Sequence, residues 1–529
     1  MKPSKLSFLK VWILLTVLTA GLWSLSSCQK TKRPSVIVVA VDRLSFNTFS
    51  CGDDKQNLPS GLNTLCNEGI RFTHAYTTSI QPAAAMGSLL TGLYPIQHQL
   101  HRSFDRLNKQ SGLIQEQASR WGYRTLFFGG SPSILKRTGL SAGFDFFDDF
   151  SFLEKKTYFL DFKLQTEKFF SLIQDDSDAF FSVIYNSELE SPNEGESETS
   201  NFEKLDEKFF NFFKLLKQKK LWDKNYIVVV GLQGDSDANR LNETPFSNLN
   251  SENTMITLFV KPPRSLGDEG VSWKVDFPVN IADLGVSLMS TLKAKHSESK
   301  IVLKNQWANL FPILDFSKVW LEQKQTFVLN PRHLLIEAAN TWIPDLSTRF
   351  AVLNKNLIFI EGEKSKVFNS LTDGLESIDI SRQQKLIVQD TENNLNSIRE
   401  KNNLKIWKDY KSEWNDWVET NRDYWAQPNA RSQLFKKELD RLQKKPNGAN
   451  QPLTALLQRY LIVNKKTSDL VILKSLGGKT QATTTNKIQR ELFFEQAKLQ
   501  SLNLALENIW GLWSPKKDWL YSDFNLEIQ

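Results

Sequence analysis

The chain has 529 residues, 40% of them hydrophobic and 24% charged, with a formal net charge of +7. That length can bury more than one core, and the composition excludes a collagenous, low-complexity or wholly disordered chain. A small positive surplus spread over this length makes no nucleic-acid-binding surface, so nucleic acid is not an expected partner.

Residues 1–28 read as an address rather than as part of a fold. Lys2, Lys5 and Lys10 precede the apolar run Val11–Ala20, which is too short to span a bilayer comfortably. The run leads into Leu25-Ser26-Ser27-Cys28, which resembles a bacterial lipobox. Small residues admit the chain to a signal-peptidase cleft, and the Cys28 thiol takes the lipid. A retained N-terminal anchor is the alternative. Either way the expectation is an extracytoplasmic protein tethered to a membrane of the cell envelope, and Gln29 favours the outer membrane. Such a compartment permits a disulfide between Cys51 and Cys66, with two separate buried thiols the equal alternative. The five histidines show no zinc-ligand spacing.

Beyond the leader, buried strands alternate with helical stretches. Arg33–Asp42 is a β-branched run closed by an acid, as a buried parallel strand is. Leu62–Glu68 and Gln115–Trp121 read as helices, and "GYRTLFFGG" (122–130) as a second strand. "DAFFSVIYN" (178–186) is a third strand, Glu188–Ser200 a solvated acidic loop, and Phe202–Trp222 an amphipathic helix. "NYIVVVGLQGD" (225–235) and "NTMITLFVKPP" (253–263) are the fourth and fifth strands, and Val279–Leu292 a further helix. This alternation predicts a mainly parallel sheet covered on both faces, with any site at the carboxyl ends of its strands, near Asp42, Gly130 and Gln233.

Arg349–Asp373 holds two apolar runs that predict paired antiparallel strands, and the pattern turns helical from Ser381. Trp407, Trp414 and Trp417 share one helix face and are expected to be core. "VILKSLGGKT" (471–480) ends like a phosphate loop, but Leu473 stands where its first glycine is required.

Several segments in fixed order resemble the sulfatase branch of the alkaline-phosphatase-like superfamily: "VIVVAVDRLS", "LNTLCNEGIRFTHAYTTS", "SLLTGLYPIQH", "GYRTLFFGG", "GFDFF" and "LKQKKLWDKNYIVVV". The resemblance implies an α/β/α sandwich over residues 33–330, a small antiparallel subdomain over 331–380 and a helical extension over 381–529. Family members hydrolyse sulfate or phosphate esters with a nucleophile activated by a divalent cation.

Carried onto this sequence, the nucleophile falls on Pro82 and the motif arginine on Met86, counted either from Ser88–Gly92 or from Ala75–Tyr76. The lysine position is Gly130 and the histidine position Ser133. Of the metal ligands Asp42 remains, Arg43 replaces its acidic neighbour, and Gln233 and Gly234 replace the pair after the fourth strand. Asp42 is then left to pair with Arg43 or to cap a helix. A histidine common after the third strand is replaced within Tyr185-Asn186-Ser187, and His98 is expected to be structural.

The expectation is a non-catalytic relative without a cofactor, binding an anionic glycan, a lipid headgroup or an envelope protein, with Arg43 supplying charge. The alternative is an active ester hydrolase that binds Ca2+ or Mg2+ through Asp235 or Asp237 and uses Thr77, Thr78 or Ser79 as nucleophile.

Overall fold

The computed structural model describes residues 33–402, apart from 50, 52–59, 103–104, 132, 135, 149–160, 174–177, 191–197, 235–248, 265–271, 294–309, 322–331, 340–347, 355, 363, 371 and 374–375. Beyond 402 it describes only helical positions 436, 440, 461 and 465–466. Cys28 and its leader, Asp235, Asp237, the three tryptophans at 407–417 and the stretch 471–480 lie outside the described residues. No helix among the described residues is long and apolar enough to cross a membrane.

Strand β1 (Val36–Val41) is buried along its whole length and lies between β6 (Phe180–Asn186) and β7 (Tyr226–Gly231), parallel to both. The register pairs Val36 with Phe181 on one side and with Tyr226 on the other. The described strands β2 (Ile70–Phe72), β4 (Arg124–Phe128), β5 (Phe146–Asp148), β8 (Leu258–Lys261) and β9 (Trp273–Val275) complete the order β5-β4-β6-β1-β7-β8-β2-β9. β8 runs antiparallel to both neighbours, so the sheet is mainly parallel. A two-residue pairing joins β3 (Ala75–Tyr76) to β10 (Val279–Asn280).

Side chains of a strand alternate between faces, and β1 divides its residues accordingly. Val36, Val38 and Ala40 join a cluster with α2 (Pro82–Thr91), α4 (Ile114–Arg120) and α8 (Ile281–Lys293). Ile37, Val39 and Val41 join the opposite cluster with α1 (Gly61–Glu68), α5 (Phe162–Leu172) and α6 (Glu198–Gln218). Helices therefore cover both faces, as in an α/β/α sandwich. Ile37, Phe127, Ile227 and Val229, all expected inside, are fully buried. A short helix α3 (Pro95–His98) follows α2.

The two ends of Glu188–Ser200 differ from the solvated loop expected there, and residues 191–197 lie outside the described residues. Glu188–Glu190 is a 3-10 turn, and helix α6 already begins at Glu198. The Glu188 carboxylate accepts hydrogen bonds from the Phe162 N–H and from Lys208 Nζ (2.5 Å), so this half-buried acid caps α5.

After the short helices α7 (Ser251–Thr254) and α9 (Lys318–Leu321), a second sheet is antiparallel throughout: β11 (His333–Ala339), β12 (Thr348–Asn354), β13 (Leu357–Ile360) and β14 (Lys366–Asn369). One face packs on Tyr76 and Ile80, the other on Tyr94, Ile96 and helix α10 (Lys385–Asn402). The two apolar runs of Arg349–Asp373, expected as two paired strands, hold three strands, β12 to β14, of a four-stranded sheet. β11 escaped the sequence reading because "HLLIEAA" is rich in leucine and alanine, which favour helix over strand.

Cys51 and Cys66 form a disulfide, which ties the segment after β1 to α1 across a separation of 15 residues. Closing a loop of this size removes about 3 kcal/mol of chain entropy from the unfolded state.

Candidate functional site

The carboxyl ends of β1, β4, β6 and β7 converge, as a parallel sheet requires. Asp42 follows β1 and is fully buried. Its Oδ2 accepts hydrogen bonds from the Tyr185 hydroxyl (2.6 Å) at the end of β6 and from the Ser187 hydroxyl (2.7 Å) just beyond it. Ser131, after β4, closes the circle, with its Oγ 3.0 Å from Tyr185 Oη and 3.1 Å from Ser187 Oγ. Two short bonds from neutral hydroxyls thus engage one oxygen of this buried carboxylate.

The sequence suggests Arg43 or a helix N-terminus as a partner of Asp42; the hydroxyl ring on Oδ2 is one that sequence reasoning missed. Its one signal was a run of polar residues, Tyr185-Asn186-Ser187, at the end of a buried strand. Arg43 itself has a left-handed backbone, φ 58°.

Two glycines decide what the site can hold. A Cβ on Gly130 would lie 2.2 Å from the Tyr185 carbonyl oxygen and 3.0 Å from Asn186 Cα. A Cβ on Gly234 would lie 2.0 Å from the Glu252 carbonyl oxygen and 2.8 Å from the Asn253 carbonyl carbon. Backbone atoms occupy the first step of any side chain at either position. Ser133, at the histidine position, is half-buried, and its N–H points to Ser131 Oγ (3.3 Å).

The start of α2 is equally committed to packing. Pro82 opens the helix at a position where its missing N–H costs nothing. All ten residues of α2 are buried, and Met86 belongs to the core cluster under β1. Thr77 Oγ1 lies 2.6 Å from the carbonyl oxygens of both Leu232 and Ser79, while Ser79 Oγ accepts the Gln81 N–H (3.1 Å). These hydroxyls brace the loop. Thr78 Oγ1 is also buried and has no hydrogen-bond partner among the described residues. Thr78→Val is therefore expected to leave stability unchanged or to raise it by up to about 1 kcal/mol in urea denaturation; a loss larger than that would reveal a partner for the hydroxyl.

His98 is structural, as the sequence suggested. Its Nδ1 accepts the Leu100 N–H (3.1 Å), its Nε2 lies 3.2 Å from Ser88 Oγ, and burial, helped by nearby His101, pushes its pKa down to about 3. The ring is neutral and serves packing under Gly87.

Among the described residues the expected ligand positions are poor in donors for a divalent cation, and Asp235 and Asp237 lie outside the described residues. Among the described residues no three His, Cys, Asp or Glu side chains converge. At the expected ligand positions stand one carboxylate engaged by hydroxyls, an arginine, an amide and a sealed glycine; affinity for Ca2+ or Mg2+ follows the number and charge of oxygen ligands.

Comparison with known proteins places this arrangement. Residues 34–188 match the family model described as Sulfatase. An N-acetylgalactosamine-6-O-sulfatase of Bacteroides thetaiotaomicron is 35% identical over 68 residues, 13% of each chain. The extracellular sulfatase SULF-1 homolog of Drosophila melanogaster is 29% identical over 111 residues, 20% of this chain and 10% of the relative. The chain thus aligns with only a small part of these relatives' length.

Solved structures agree over a longer span. Ps i-CgsB in complex with k-i-k-neocarrahexaose has a TM-score of 0.54 at 14% identity, covering 73% of this chain and 97% of that one. The phosphonate monoester hydrolase of Agrobacterium radiobacter has a TM-score of 0.54 at 10% identity, covering 70% and 96%. At these identities the likeness is one of fold.

Proposed function

The chain belongs to the sulfatase family, in the alkaline-phosphatase-like fold, and from that premise we propose that it is a binding protein: an envelope lipoprotein that holds an anionic glycan without hydrolysing it. The observation that carries this reading is the pair of sealed glycines. A lysine at Gly130 and a metal ligand at Gly234 have no room, whatever residue is written there. Proline at 82 offers no nucleophile, and Met86 is core. The glycan is favoured because the relatives include an N-acetylgalactosamine-6-O-sulfatase and a structure carrying a neocarrahexaose.

The test is a turnover assay with aryl sulfates, aryl phosphates and phosphodiesters, with and without coexpression of a formylglycine-generating enzyme. No turnover is expected. Millimolar Ca2+ or Mg2+ is expected to leave the melting temperature unchanged, whereas a micromolar site would add about 4 kcal/mol. Turnover abolished by Thr77→Ala, Thr78→Ala or Ser79→Ala would establish the hydrolase with a displaced nucleophile instead.

The anchor is a separate expectation. Lipid on Cys28 predicts that Cys28→Ser shifts the protein from the membrane fraction to the soluble one or leaves an unprocessed precursor, read by fractionation and mass. An unchanged mature mass in the membrane fraction would contradict lipidation. The disulfide Cys51–Cys66 supports the extracytoplasmic placement, since such bonds persist in oxidising compartments.

A further inference from the structure

The ion pair of Glu337 and His101 lies apart from the positions that carry the family's catalytic residues. Glu337, in β11, is 1% exposed, and its backbone is zipped to the loop that enters α2: its N–H donates to Thr78 O (3.0 Å), and its carbonyl accepts the Ile80 N–H (3.2 Å). Its carboxylate holds His101, with Nδ1 2.9 Å from Oε1 and 3.1 Å from Oε2. A carboxylate this buried needs a counter-charge, and among the described residues His101 is the only ion partner within salt-bridge range of it.

The pairing fixes the state of the imidazole. Glu337 accepts the hydrogen bond from Nδ1–H in either charge state of the ring, so titration changes only Nε2. That nitrogen has no hydrogen-bond partner among the described residues, and the side chain keeps 13% exposure. Burial works against the imidazolium, but the charge and hydrogen bond of Glu337, joined by Asp105, outweigh it and hold the pKa above the usual value. Arg102 opposes the charge and is itself paired with Asp105 (3.0 Å), and His98 is the other titratable neighbour.

We propose that His101 Nε2 is a pH-gated contact for an anionic oxygen of the glycan, a sulfate or a carboxylate, beside the loop that carries Pro82. This assignment rests on the glycan-binding reading and adds the contact and its control. As an imidazolium, His101 donates Nε2–H to the anion. As a neutral ring with its proton kept on Nδ1, it presents a lone pair that repels the same oxygen. With the folded pKa raised, binding is full at acidic pH and is lost as pH rises through that pKa.

The experiment is calorimetric titration of the full mature chain with chondroitin sulfate oligosaccharides, and with unsulfated hyaluronan oligosaccharides, at several pH values from about 5.5 to about 9, a window that spans the ordinary histidine pKa of about 6.5 and the raised one. Affinity is expected to fall about tenfold or more across the window, the size of a charge-assisted contact. His101→Gln should flatten the profile, and Glu337→Gln should move its midpoint to lower pH, with melting temperatures reporting that both variants fold.

A residue that merely joins β11 to the 98–101 segment would shift the melting temperature and leave the profile alone. Binding that ignores pH, or a slope that persists in His101→Gln, overturns the assignment while leaving glycan binding intact. Binding of chondroitin sulfate alone assigns the contact to sulfate, and equal binding of both assigns it to carboxylate. Absence of binding by either glycan at every pH overturns the glycan reading itself, and the assignment with it.

Discussion

Gly130→Lys, which writes the family's lysine back into its position, is expected to destabilise the protein severely and to restore no turnover. The obstacle is the first atom of the side chain. A Cβ at 130 meets the Tyr185 carbonyl oxygen at 2.2 Å and that residue's carbonyl carbon at 3.1 Å, both in the backbone of β6. β6 is held by β4 on one side and β1 on the other, and the same carbonyl accepts Gln165 Nε2 (2.5 Å), so it has no direction in which to yield. Overpacking that side chains can absorb costs about 1–3 kcal/mol; with main chain as the neighbour, a loss of about 3 kcal/mol or more is expected. Gly130→Ala isolates the cause, because alanine carries the offending atom without the charge. Matched urea midpoints for Gly130→Ala and wild type would show that the position has room and is not sealed.

The second large effect is expected at Asp283. This fully buried carboxylate, in the first turn of α8, accepts Arg332 Nη1 (2.8 Å), a second bond from Arg332 Nη2, the Leu314 N–H (2.7 Å) and the Asn280 N–H (2.8 Å). It gathers three chain segments around one charge. Asp283→Ala leaves the Arg332 guanidinium, 8% exposed, without its anion and two buried N–H groups without an acceptor. Removing one partner of a buried pair costs about 3–5 kcal/mol. Equilibrium denaturation should show that loss, and restoring the geometry with Asp283→Asn should recover only part of it. A loss below about 1 kcal/mol in Asp283→Ala would mean that water reaches Arg332 and that the pair is not sealed.

How much of this was legible depended on how local the signal was. The strands β1, β4, β6 and β7 announce themselves as continuous apolar runs, because a parallel strand buried on both faces has no polar side to show. β11 does not, since its leucines and alanines carry no strand preference. Pro82, Met86, Gly130 and Gly234 could be placed by counting, but counting shows only that side chains are missing. That Gly130 and Gly234 have no space for one is a property of the backbones of residues 185–186 and 252–253, distant in sequence. The partners of Asp42 lie more than 140 residues away, and Glu337 lies 236 residues from His101. No periodicity or motif spacing encodes contacts of that range.

The bridge between Ser79 and Glu337 gives the loop before α2 a hydrogen-bonded partner strand. Here Ile80 donates to Glu337 and Glu337 to Thr78, so the loop moves only if the second sheet moves with it. A surface held this way loses little conformational freedom when a ligand settles on it, and the entropy that a flexible loop forfeits at each encounter has already been surrendered in folding. On the proposed binding reading, the stiffness of this loop serves recognition.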